Sequence, residues 1–138
     1  MPPQSDYRGE RPTKSVLFAF YNLENLFDTE DDPLTQDDDF TPSGKNRWTP
    51  ERMERKLENI SRALMTMNDG RGPDVIGVCE VENAHVLSML VNDHLPRGAY
   101  GIVHTDSPDE RGIDVAILYR KSAVTLASTT LHRVDLGP

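Results

Sequence analysis

Cysteine is almost absent from this chain: one thiol, Cys79, in 138 residues. An internal disulfide framework is therefore excluded, and a single thiol fits a reducing compartment, so a cytoplasmic location is expected. Long apolar runs are missing too. No segment approaches the roughly 20 residues that a membrane helix needs, and the polar stretch 1–14 lacks the apolar core of a signal peptide. Positive charge is scarce: 15 Lys and Arg stand against 23 Asp and Glu, a formal net charge of −8. That balance argues against a broad basic face gripping nucleic acid. It leaves open an enzyme that reaches phosphate through a bound cation, because the cation supplies local positive charge. No glycine-rich phosphate loop of Walker or dinucleotide type occurs. The four histidines (His85, His94, His104, His132) show no zinc-type helical spacing.

What is present is the pattern of one α/β domain. Residues 16–21 form a continuous apolar run, which predicts a strand covered on both faces. Residues 28–47 are acidic and rich in turn formers and read as a long, solvated surface loop. A helix is expected from Thr49. Thr suits the N-cap, Pro50 the first helical position and Glu51 the first turn. Met53, Leu57, Ile60, Leu64 and Met67 then recur at steps of four and three, an apolar stripe that ends at Asp69-Gly70 and Gly72-Pro73. A strand over 75–79 follows. Asn83 caps a second helix carrying Val86, Leu87, Leu90 and Val91, which stops before Pro96. Strands over 100–105 and 113–119 flank a turn at 107–110, and 124–131 reads as a fifth strand. The hairpin-linked final elements make the expected sheet mixed.

Two strands run into oxygen-bearing side chains. The first delivers Asn22 and Glu24, the second Glu80. A carboxylate at the end of a buried strand must reach water, a cation or a metal, because burying it unpaired costs several kcal/mol. Mg²⁺ takes one or two carboxylates plus waters and phosphate oxygens; a solvent-facing Glu or an ion pair meets the same constraint. Asn22 can donate and accept, and period-two alternation places Glu24 on its side of the segment; an Asn-containing turn is the structural alternative. Arg111 offers a guanidinium fork near a strand end, suited to phosphate or to a neighbouring acid. Asp114, inside an apolar strand, needs a partner such as Arg111 or a backbone N–H. The acidic segment 28–39 lacks the residue order of an EF-hand, though a calcium-binding module stays among the alternatives. Cys79 reads as packing.

Three blocks resemble the endonuclease/exonuclease/phosphatase superfamily, in a bacterial branch: Phe20-Tyr21-Asn22-Leu23-Glu24-Asn25-Leu26-Phe27-Asp28, Pro73-Asp74-Val75-Ile76-Gly77-Val78-Cys79-Glu80-Val81-Glu82-Asn83, and Ser107-Pro108-Asp109-Glu110-Arg111-Gly112-Ile113-Asp114-Val115-Ala116. Trp48 and the helix containing Lys56 also fit. The resemblance implies half of a two-sheet α/β sandwich, a mixed sheet with helices on its outer face. It implies a metal-assisted hydrolase of phosphoesters, with Mg²⁺ or Mn²⁺ as cofactor and nucleic acid among its substrates. Glu80 then resembles the metal-binding Glu, Asn22 the active-site Asn of the first strand, Glu24 a second acidic metal ligand and Arg111 a substrate-facing residue. The family's Asp-x-Asn pair and closing Ser-Asp-His are missing from this sequence. Residues 15–138 are therefore expected to be an N-terminal half, nearly inactive alone; a noncatalytic binding module or pseudoenzyme fragment is the alternative.

Overall fold

The computed structural model describes residues 14–107, 113–132 and 137. Among the described residues four strands form one mixed sheet: β1 (Phe18–Leu26), β2 (Val75–Val81), β3 (Tyr100–Thr105) and β4 (Asp114–Arg120), in spatial order β1-β2-β4-β3. β1 and β2 run parallel, joined by a long loop and helix α1 (Pro50–Met65); β2 with β4 and β3 with β4 are antiparallel. Leu26 registers with Val81, Val81 with Asp114 and Thr105 with Val115. One end of the sheet therefore collects the last residues of β1, β2 and β3 and the first of β4. The architecture is consistent with half of an α/β sandwich.

The helices form where their caps and stripes direct them. The Thr49 side chain accepts the Arg52 N–H at 3.3 Å, and the Asn83 side chain accepts the Val86 N–H at 2.9 Å. Helix α2 (Ala84–Met89) continues as a single π turn, Leu90–His94. Met53, Leu57, Ile60 and Leu64 of α1 and Val86, Leu87, Leu90 and Val91 join Leu23, Leu26, Ile76, Val78, Val81, Ala116 and Leu118 of the sheet in one core.

Burial of β1 on both faces is not observed. Phe18 and Phe20 are each 73% exposed, and Val115 and Ile117 are also exposed. A continuous apolar run records that both faces are apolar, not that both are covered. The fifth strand is absent as well. Residues 124–131 have no regular structure and lie beside Phe20, Val115 and Ile117, lining the same shallow hollow. Strand propensity in this segment goes unused because it pairs with neither sheet edge.

The acidic loop is anchored rather than solvated throughout. Trp48 Nε1 donates to the Phe27 carbonyl at 2.9 Å, and the Phe27 and Phe40 rings stack at 4.2 Å. Asp37 is 1% exposed and accepts the Asp32 N–H at 3.1 Å. Glu82, just past β2, accepts the Asp28 N–H at 2.7 Å, while Asn83 donates to the Asp28 carboxylate at 3.0 Å. Burial, reinforced by the nearby carboxylates of Asp28 and Asp37, pushes Glu82 up to about 8, against the pull of the Asp28 N–H.

Two outcomes follow from this arrangement. Between the ordinary carboxylate range and pH 8, the folded chain holds a proton on Glu82 that the unfolded chain has released. Stability is therefore greatest below that window and declines as pH rises through 8; thermal melts across pH 5–9 should show the decline, and Glu82→Gln should flatten it. The open apolar face should make the purified chain associate, so it is expected to elute from size-exclusion columns above its 15.5 kDa mass, and Phe20→Lys should shift it toward the monomer.

Candidate functional site

The ends of β1 and β2 break strand geometry together. Their register shifts between Asn22 and Leu26 on one side and between Cys79 and Val81 on the other. Glu24, Asn25 and Glu80 all have positive φ, at 53°, 57° and 60°. Non-glycine residues rarely occupy this left-handed region, because Cβ crowds the backbone there. Three of them at the tips of two adjacent strands, including two of the expected ligands, mark backbone held away from its local preference.

The bulges fix what each side chain can do. Asn22 registers with Cys79, one residue from Glu80. Asn22 Oδ1 accepts the Glu24 N–H at 2.7 Å, and among the described residues Nδ2 makes no hydrogen bond. Glu24 thus stands beside Asn22 as expected, but through this tight turn rather than by alternation along an extended strand. Glu80 Oε2 accepts the Asn25 N–H at 3.1 Å and ties the two strand tips together; among the described residues, Oε1 makes no hydrogen bond. Arg111 falls outside the described residues. Asp114 finds the backbone partner expected for it, the Ser107 N–H at 2.6 Å, and among the described residues its side-chain partner is His104 Nε2, at 2.8 Å.

Sequence reasoning missed the helix side of the site. Asn22 and Glu24 line a cleft with Tyr21, Arg52, Arg55, Lys56 and Asn59. Lys56 donates to the Glu24 carbonyl and lies 5.6 Å from the centre of the Trp48 ring. Burial lowers its pKa, opposed by the nearby charges of Glu24 and Glu80. One ammonium therefore lies within electrostatic reach of both carboxylates, though it forms an ion pair with neither. Arg52 also sits over Trp48, at 5.7 Å, and donates to the Asn46 and Arg47 carbonyls. The available signal was the run Arg52, Arg55, Lys56, Asn59, polar residues at helical spacing on the flank of an apolar stripe. Nothing local showed that this flank would face β1.

Two carboxylates and an amide beside one ammonium suit a hard cation shared with an anionic ligand. Oxygen donors match Mg²⁺ or Mn²⁺, whose remaining positions water or phosphate oxygens can fill. A sequence model described as the endonuclease/exonuclease/phosphatase family matches residues 17–136, and the chain belongs to that family. No curated protein and no solved structure matches it.

If the left-handed conformation at residue 80 is retained for its carboxylate, glycine should tolerate it better than alanine. Glu80→Gly is expected to exceed Glu80→Ala in unfolding free energy by about 1 kcal/mol, measured by denaturant titration; the reverse order would show that the backbone there is unstrained.

Proposed function

We propose that this member of the endonuclease/exonuclease/phosphatase family is a divalent-metal-dependent phosphoesterase whose centre is built on Asn22, Glu24 and Glu80. The observation that supports the reading best is the paired bulge, which joins the two strand tips through the Asn25 N–H and leaves one Glu80 oxygen without a hydrogen bond. Mg²⁺ or Mn²⁺, when bound, would supply Lewis-acid polarisation of the phosphoryl group.

The remaining roles belong to the chain's own side chains. Glu80 and Glu24 would hold the cation. Asn22 Nδ2 donates to a nonbridging phosphate oxygen, and its orientation is fixed because Oδ1 already accepts the Glu24 N–H. Lys56 secures the Glu24 backbone and attracts the anionic substrate. Arg55 and Asn59 extend the same cleft along α1 and lengthen its hold on a phosphoester chain, which makes nucleic acid a fitting substrate despite the net charge of −8. Arg111 completes substrate binding. The unpaired Cys79 supports a cytoplasmic location, and among the described residues no helix is long and apolar enough to cross a membrane.

No histidine lines the Asn22–Lys56 cleft among the described residues. A positioned acid or base contributes roughly 10²–10⁴-fold to such reactions, so the 138-residue chain alone is proposed to turn over slowly. Bis-p-nitrophenyl phosphate and plasmid DNA should be cleaved near the buffer background. Brisk Mg²⁺-dependent cleavage, lost in Glu80→Gln, would overturn the inactivity while upholding the site. Mg²⁺ titration should shift the backbone amide resonances of Asn22 and Asn25, and Glu80→Gln should abolish the shift. An unchanged response in that variant would remove Glu80 from the site.

A further inference from the structure

We propose that His104 and Asp106 form a second cation site, for a divalent transition-metal ion such as Zn²⁺, with Asp114 as the carboxylate that fixes the imidazole. The site lies at the β3–β4 junction. Thr105, the last residue of β3, registers with Val115, so His104 and Asp114 come together across the start of the hairpin.

Asp114 is 5% exposed, and both of its oxygens are engaged: Oδ1 accepts the Ser107 N–H at 2.6 Å, and Oδ2 lies 2.8 Å from His104 Nε2. A carboxylate can only accept, so its contact assigns the ring proton to Nε2. In the neutral ring, Nδ1 then carries the lone pair. Nδ1 lies 3.9 Å from Asp106 Oδ1, and the Asp106 side chain is 93% exposed. That gap is too long for a hydrogen bond. It is close to the spacing of two donors on one ion, since Zn–N and Zn–O bonds of about 2.0–2.2 Å put adjacent ligands roughly 3–4 Å apart.

Metal-ligating histidines commonly donate their other ring N–H to a carboxylate, which sets the tautomer and raises the basicity of the ligand nitrogen. Buried Asp114 is in place for that role, and the donor atoms of all three residues lie within 4.8 Å of one another. One imidazole nitrogen and one carboxylate favour Zn²⁺, Mn²⁺ or Ni²⁺ over Mg²⁺. Two protein ligands leave several positions to water, so the ion exchanges readily. These donors are separate from those of the phosphoesterase centre, although Asp114 registers with Val81, the residue after Glu80. The inference therefore does not depend on the proposed function.

The test uses the untagged chain stripped with chelator and titrated with Co²⁺ in a large excess of Mg²⁺, which occupies the phosphoesterase centre, read by its visible absorption, with Zn²⁺ as competitor. A saturable band of one equivalent is expected. Asp106→Asn and His104→Gln should each weaken binding roughly tenfold or more, and Asp114→Asn should weaken it roughly 10–100-fold by loosening the ring. Glu80→Gln should leave the titration unchanged. Asp106 is exposed, so its variant keeps the test decisive even if His104→Gln fails to fold. Absence of a saturable band, equal affinity in Asp106→Asn, or loss of binding in Glu80→Gln would each overturn the site.

Discussion

The hydrogen bond from the Asn25 N–H to the Glu80 carboxylate is the contact on which the site depends. Parallel strands in regular register would send successive side chains to alternate faces and keep these residues apart. Here both strands bulge at the same level, and the left-handed residues Glu24, Asn25 and Glu80 turn the backbone so that amide, carboxylates and helix flank meet. A bulge re-aims side chains at the expense of ladder hydrogen bonds. The lost pairing is recovered in part by side-chain acceptors: Asn22 Oδ1 takes the Glu24 N–H, and Glu80 takes that of Asn25.

Electrostatics divide the same end of the sheet into distinct zones. On the α1 side, Lys56 stands against Glu24 and Glu80, and Arg52 and Arg55 extend the positive flank. A chain with excess acid thus gathers Arg52, Arg55 and Lys56 along one flank of α1. Past β2, Glu82, Asp28 and Asp37 crowd together, and burial keeps Glu82 in its protonated form near neutrality. That neutral carboxyl, with the Phe27–Phe40 stack and the Trp48 hydrogen bond, holds the acidic loop against the domain. At the hairpin, His104 answers the buried charge of Asp114. Glu80, Glu82 and Asp114 are thus met in three different ways: by the field of an ammonium, by a proton and by an imidazole.

Local patterns carried much of the fold. The caps at Thr49 and Asn83, the apolar stripe of α1 and the apolar core of β2 appeared where their spacing placed them, because each depends on neighbours within a few residues. Asn22, Glu24 and Glu80 were visible as polar residues at strand ends, and the family was legible from its blocks. Lys56 was not, because its importance comes from a helix docking against β1. The His104–Asp114 contact was hidden for the same reason: the local sequence pointed Asp114 to a backbone N–H, which it found at Ser107, and to Arg111, but not to His104. The segment 124–131 shows the opposite failure, where propensity promised a strand and no edge received it.

The sequence by itself determined the element types, the helix boundaries, the acidic balance and the two strand tips that carry oxygen donors. These follow from periodicity, capping and side-chain chemistry, which act over a few residues. Tertiary structure alone decided that the two tips bulge together, that Lys56 docks on the Glu24 carbonyl, that among the described residues one sheet face stays open and that His104 reaches Asp114. Each of these depends on register between segments 10 to 55 residues apart, and register is fixed only when the strands and helices close on a common core.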